Sequence, residues 1–230
     1  MASKLKDKQQ EEELMDQEVV GAEGSSVEDF VNNNRNLILG GLAVVVLAVV
    51  GLIFLNQSKE RQNTLAHSDM FKAVKYFEQD SLNKALNGDG VSMGFLDIAD
   101  EYGSTAAGNQ AQYYIGVAYA RQGKLDEAID ALEGVSASGN MLAMARDMAL
   151  GFAYEDKQDF AKAARLFLAA SKTPGANDQT TPSMLMNAAR AYEANGDFGD
   201  ALELYETIKE EYPFSQEGLN IDKYIGRATR

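Results

Sequence analysis

The chain has 230 residues, of which 35 are acidic and 21 basic, so its formal net charge is −14 at pH 7. This balance argues against nucleic acids and anionic lipid headgroups as partners, because both attract concentrated Lys and Arg. The chain has no cysteine and one histidine, His67. Disulfides, thiol catalysis and cysteine metal sites are therefore excluded, and a histidine-based site is disfavoured. No G-x-x-x-x-G-K-[ST] phosphate loop occurs, so we expect a protein that is not an enzyme, with no catalytic residue, metal or cofactor.

Residues 1–36 are predicted to form a mobile acidic tail, since they hold 9 acidic and 4 basic residues and too few apolar ones to bury a core. Residues 25–28 have the S-x-x-E form of a capping box, which satisfies the free amides at a helix start. Val27, Phe30 and Val31 then share one helical face. Two interpretations stay open: a short interfacial helix, or a capped extension of the apolar helix that follows.

Residues 37–55 form a stretch of nineteen without a charge or a proline. As a helix this stretch reaches about 30 Å, the thickness of a bilayer's hydrocarbon core. A core helix of a soluble protein rarely runs so long without a polar residue. A cleaved signal peptide has a short basic start and an apolar core of about 7–15 residues, whereas the preceding tail here is long and acidic. We therefore predict a transmembrane helix.

The charges beside this span favour one orientation. Only Arg35 lies close before it, whereas Lys59, Arg61, Lys72 and Lys75 follow it. The excess of basic residues on the cytoplasmic side of spans would place the following domain in the cytoplasm. That rule is weaker for long translocated domains, and the basic residues near the N-terminus lie on the other side, so local charge leaves the orientation open.

Residues 56–104 are predicted to be a helical stalk and a degenerate first repeat. Apolar residues recur at helical spacing from Ser58 to about Gln79. A Gly-Asp-Gly turn follows at residues 88–90, and Ser92 is predicted to cap a helix that ends at Tyr102.

Three later segments repeat the same positions. Each has a small residue, a tyrosine three residues on, an alanine nine residues after the tyrosine, and a large side chain four after the alanine. The three sets are Gly116, Tyr119, Ala128 and Leu132; Gly151, Tyr154, Ala163 and Phe167; and Ala189, Tyr192, Ala201 and Tyr205. The offsets of 35 and 38 residues are close to the roughly 34 of a tetratricopeptide (TPR) repeat. We expect the small residue to meet the alanine where two helices cross, and an aspartate to cap the second helix in at least two repeats.

Residues 105–215 resemble three TPR repeats, residues 93–104 resemble half of an earlier one, and residues 216–230 suit a capping helix. The predicted fold class is all-α: one transmembrane helix followed by a TPR solenoid. The whole layout resembles the YfgM-like family of bacterial inner-membrane proteins. That resemblance implies an ancillary subunit of the Sec translocon with a cytoplasmic N-terminus and a periplasmic TPR domain. The implied partners are translocon subunits, periplasmic folding factors and secreted client chains. The alternative is a structural scaffold for an envelope assembly or secretion complex, without client binding, for which a domain that faces the cytoplasm stays open.

In a TPR array the first helix of each repeat lines a concave groove. On the register above, the predicted partner-binding residues are Tyr113, Val117, Arg121, Met148, Phe152, Glu155, Met186, Arg190 and Glu193. Tyr, Val, Met and Phe replace most of the Lys and Asn of carboxylate-binding TPR domains, so we expect contact with apolar segments instead. The alternative for each residue is packing within the array.

Overall fold

The structure, a computed structural model, describes residues 30–136 and 141–229. The predicted tail of residues 1–24 and the capping box at residues 25–28 lie outside these residues. The chain divides after Ser58 into two compact units.

The described residues form helices joined by turns. The helices are α1 (Arg35–Glu78), α2 (Leu82–Asn87), α3 (Phe95–Tyr102), α4 (Ala106–Arg121), α5 (Leu125–Glu133), α6 (Met141–Asp156), α7 (Phe160–Ser171), α8 (Thr181–Asn195), α9 (Phe198–Glu211) and α10 (Ile221–Ala228), with a 3-10 turn at Gly218–Asn220. No strand occurs among the described residues, so the predicted all-α class is confirmed.

The first unit holds the apolar part of α1. Among the described helices, α1 is the one long and apolar enough to cross a membrane. None of its most apolar stretch is buried within the protein. A helical turn at residues 30–33 precedes it, closed by the Asn34 amide, which donates to the Phe30 carbonyl at 3.0 Å.

The second unit begins with the remainder of α1. Its buried face carries Ala66 and Met70, which join a core cluster with Phe95 and Ile98 of α3 and Ala111 of α4. Polar contacts hold the same arrangement. The Tyr102 hydroxyl donates to Asp69 at 2.9 Å. Residues of α1, α3 and α4 therefore share one core.

The start of α3 corrects the sequence prediction. The helix begins at Phe95 with Gly94 as its N-cap residue, and the Gly94 amide donates to the Asp97 carboxylate at 3.3 Å. Ser92 is not the cap. Its amide instead donates to Asp89 at 2.7 Å within the preceding turn.

Aspartates occupy the N-cap position in two of the three repeat turns. Asp159 accepts a hydrogen bond from the Lys162 amide at 3.2 Å at the start of α7. Asp197 stands at the start of α9 but makes no side-chain cap bond; its carboxylate accepts from the Asn195 side chain. Lys124 takes the N-cap position of α5. The predicted capping bond therefore forms in one repeat.

The glycines of the first two repeats sit against large side chains, and Gly116 also lies against its predicted small partner, Ala128. A Cβ at Gly116 would lie 2.5 Å from the Leu132 side chain, and one at Gly151 would lie 2.5 Å from the Phe167 ring. The Ala128 atom nearest to a Cβ at Gly116 is its carbonyl oxygen, at 3.1 Å. The missing side chain therefore makes room for the large residue four places after the alanine.

We predict that Gly151→Ala lowers the stability of the full chain by about 1–3 kcal/mol, because the added methyl overlaps the buried Phe167 ring. The measurement is the unfolding midpoint by circular dichroism in detergent. Gly199→Ala is the matched control, since nothing lies within 4 Å of a Cβ at that position of α9. The Gly199→Ala substitution should leave the unfolding midpoint unchanged or raise it. An equal loss of stability in both variants would contradict the proposed role of the Gly151–Phe167 contact.

Candidate functional site

The first helices of the three hairpins, α4, α6 and α8, carry the nine predicted groove residues. Tyr113 and Val117 of α4 are partly buried and pack against a cluster that contains Leu132 of α5 and Leu150 of α6. Burial raises the pKa of the Tyr113 phenol. These two side chains therefore bridge neighbouring repeats as well as bordering the predicted groove.

The two methionines pack in the same way. Met148 is partly buried against a cluster of Phe167 from α7 and Ala188 and Ala191 from α8. Met186 is 9 % exposed and belongs to the C-terminal core cluster with Ile221 of α10. For Met186 the structure places the side chain in the core.

Phe152 differs from these four residues. Its side chain is 47 % exposed. The ring packs edge-on against the buried Phe167, with centroids 4.9 Å apart and planes at 66°. Such aromatic pairs hold the ring in a defined orientation. Phe152 is therefore an exposed aromatic surface on a fixed support.

Two of the charged groove residues have partners within the array. Arg121 forms an ion pair with Asp80 at 2.8 Å and lies over the Phe77 ring. Glu193 forms an ion pair with Arg227 of α10. Arg190 is exposed and Glu155 partly exposed, and among the described residues no side-chain hydrogen bond or ion pair is formed by either one.

A polar network joins α8, α9 and α10 around Glu193, whose side chain is 13 % exposed. The Tyr205 hydroxyl donates to Glu193 at 2.9 Å, and Arg227 donates to the same carboxylate. Burial, followed by this hydrogen bond, raises the pKa of Tyr205. The hydrogen bond to Glu193 raises the pKa of Arg227. Sequence reasoning missed Arg227, since no spacing rule pairs residues 34 apart.

No three acidic or imidazole side chains among the described residues are grouped to hold a metal ion. The predicted groove residues instead present the Phe152 ring, which packs on Phe167, together with charged side chains nearby. Such a surface can contact a polypeptide.

The helical hairpins and their period match those of a known protein family. Residues 28–153, more than half of the chain, match the family model described as a tetratricopeptide repeat-like domain. The chain belongs to this TPR-like family. Residues 148–215 match a further model, described as a tetratricopeptide repeat. TPR folds serve as scaffolds for protein–protein interaction.

Solved structures of similar fold are known. Two crystal structures of nearly identical TPR-like repeats, assigned to a kinesin light chain of Podosopora anserina, each cover 72 % of this chain. One is 19 % identical, with a TM-score of 0.56 and 85 % of its own length covered. The other is 20 % identical, with a TM-score of 0.57 and 86 % covered. Likeness at this identity shows the fold alone. No curated protein matches the sequence.

We predict that Arg227→Ala loosens α10 by about 1–2 kcal/mol, because the mostly buried Glu193 carboxylate loses its charged donor. Amide hydrogen exchange over residues 221–228 should then accelerate. Lys223→Ala is the control on the same helix, since Lys223 only approaches the Tyr224 ring at 6.0 Å. If both variants protect α10 as well as the parent does, the Glu193 network does not hold this helix.

Proposed function

We propose that the chain is a single-pass membrane protein whose TPR array captures other proteins as an ancillary subunit of the Sec translocon. The observation that carries this proposal is the exposed Phe152 ring on the first-helix face of a TPR array. An apolar side chain supported by Phe167 suits contact with apolar segments of a client or partner helix. The partners we propose are translocon subunits, periplasmic folding factors and secreted chains.

The proposed membrane anchor rests on α1. Its apolar stretch is as long as a bilayer core and has no buried part, which is unlike a core helix of a soluble domain. The order of acidic tail, apolar stretch and TPR array resembles that of the YfgM-like family, and this supports an inner-membrane location with the array in the periplasm. The same resemblance supports a role for the protein in export.

Two observations favour a second candidate, a structural scaffold for an envelope or secretion complex that binds no client. Most of the apolar residues predicted for the groove pack into core clusters, including Met148 and Met186. The basic residues that follow the span, such as Lys59 and Arg61, favour a domain that faces the cytoplasm.

We also propose that the protein has no catalytic activity of its own. This proposal is supported by the sequence, which lacks a phosphate loop, and by the described residues, in which no three acidic or imidazole side chains are grouped to hold a metal ion. Turnover of a substrate by the isolated protein would overturn this part of the proposal.

Membrane orientation is the first prediction to test. Cells permeable in the outer membrane only, carrying tags after Met1 and before Arg230, would be treated with protease. We expect loss of the C-terminal tag and survival of the N-terminal one, because the proposed array lies in the periplasm. A C-terminal tag protected until the cells are lysed would favour the cytoplasmic scaffold.

Client capture is the second prediction. The full chain in lipid nanodiscs should bind a permanently unfolded probe, reduced and carboxymethylated α-lactalbumin, and Phe152→Ser should weaken this binding about tenfold. The reason is the loss of one aromatic burial, worth about 1.5–3 kcal/mol. Phe198→Ser is the matched control, because Phe198 is 48 % exposed and begins α9, a second helix of its hairpin. Equal binding by the parent and both variants would remove Phe152 from the site, and absence of binding by the parent would favour the scaffold.

A further inference from the structure

An exposed aromatic side chain lies near the C-terminal end of the array, on the segment that joins α9 to α10. The Phe214 side chain is 92 % exposed. It borders a cavity of about 470 Å³, which is lined by residues 211–217 and by residues 178–179 just before α8. None of the nine predicted groove residues lines this cavity. The surface is therefore separate from the one proposed around Phe152.

The segment that carries Phe214 is held in a fixed turn. The Ser215 hydroxyl donates to the Tyr212 carbonyl at 2.9 Å, and the Gly218 amide donates to the Ser215 hydroxyl at 2.9 Å. A Cβ at Gly218 would lie 2.2 Å from the Tyr212 carbonyl oxygen, so the turn closes around a residue without a side chain. Tyr212 itself packs against the C-terminal core cluster. Binding at Phe214 therefore does not have to order this segment first.

The charge around the cavity has one sign. Its lining includes Asp178, Glu211 and Glu217 and, among the described residues, no Lys or Arg. None of these three carboxylates forms an ion pair or a side-chain hydrogen bond with another described residue. Lys209, two residues before Glu211, pairs with Asp222 at 2.8 Å instead. The charge of the lining and the net charge of −14 therefore both favour a basic occupant.

We infer that Phe214 and the cavity beside it bind a segment of another polypeptide in which a Lys or Arg stands next to an apolar residue. The apolar residue contacts the exposed Phe214 ring, and the basic side chain enters the cavity, where unpaired carboxylates attract it. This second interaction surface goes beyond the proposed capture at Phe152 and does not depend on it. Exposed charge pairs each contribute little, so the preference for a basic segment is about three- to tenfold and shrinks at high salt.

The test uses the full chain in nanodiscs of zwitterionic lipid and three synthetic peptides. Each peptide has one central Phe, and the peptides differ only at the two positions beside it, which hold Lys, Gln or Glu. Fluorescence anisotropy at low and high salt gives the three dissociation constants. At low salt the parent should bind the Lys peptide about three- to tenfold more tightly than the Gln peptide, and the Glu peptide least tightly.

The aromatic contact is tested by Phe214→Ser, which should weaken binding of the Lys peptide about tenfold, because one aromatic burial is lost. Val91→Ser is the matched control, since the Val91 side chain is 96 % exposed and lies in a different turn. Circular dichroism checks that each variant keeps the helical content of the parent.

The charge preference is tested by the double variant Glu211→Gln, Glu217→Gln, which should bring the affinity for the Lys peptide close to that for the Gln peptide. Its control is the double variant Glu127→Gln, Glu203→Gln. This control removes the same two charges at exposed positions outside the cavity lining.

The outcomes separate this inference from the proposed function. If Phe152→Ser abolishes binding of the peptides and Phe214→Ser does not, the peptides bind at the predicted groove and the inference is overturned while capture stands. If Phe214→Ser weakens binding and Phe152→Ser does not, the inference stands whether or not capture does.

Three further results would also overturn the inference. One is a loss of binding in Val91→Ser equal to that in Phe214→Ser. Another is a loss of the Lys preference in the control double variant, which would assign that preference to the general field of the protein. The third is self-association of the full chain, measured by sedimentation, that Phe214→Ser abolishes, since the occupant would then be a second copy.

Discussion

The close approach of two helices at Gly116 and Gly151 is the contact on which the array depends. At each crossing the absent side chain leaves the space that Leu132 or Phe167 fills. A well-packed interior has little free volume. The contact between a glycine, which has no side chain, and a large side chain therefore fixes both the distance between the two helices and the register of the hairpin. Alanine can take the glycine's place only where the opposing side chain adapts.

The same crossing decides which residues stay available for recognition. The residue after the small one is turned by about 100° from the crossing and lies beside the hairpin interface, where Val117 packs against the cluster with Leu132 and Phe152 packs against Phe167. Val117, Phe152 and Arg190 occupy this position, which explains how three such different side chains fit one repeat. The residue that fixes the crossing and the residue proposed for recognition are thus adjacent in the sequence.

The helices and hairpins could be predicted because a recurring spacing reports on contacts within one repeat. Contacts between segments that are remote in the sequence could not be predicted in this way. Met186 has the spacing of a groove residue, but α10 and its Ile221 cover it. Glu193 also has the spacing of a groove residue, but its carboxylate forms an ion pair with Arg227. Ser92 fits a capping pattern, yet the Asp89 turn takes its amide and the helix starts later. For Met186 and Glu193 the competing contact comes from a remote segment that the local sequence does not show, whereas for Ser92 it comes from the neighbouring turn.

Of the five apolar residues predicted for the groove, Met186 lies in a core cluster, Tyr113, Val117 and Met148 are partly buried, and Phe152 is the most exposed. A site of this size cannot bind tightly through area. Its advantage is that the Phe152 ring already rests on Phe167, so binding need not order it. Weak but pre-organised contact suits capture followed by release. The proposed function, in which a captured client is passed onward, needs that release as much as it needs the capture.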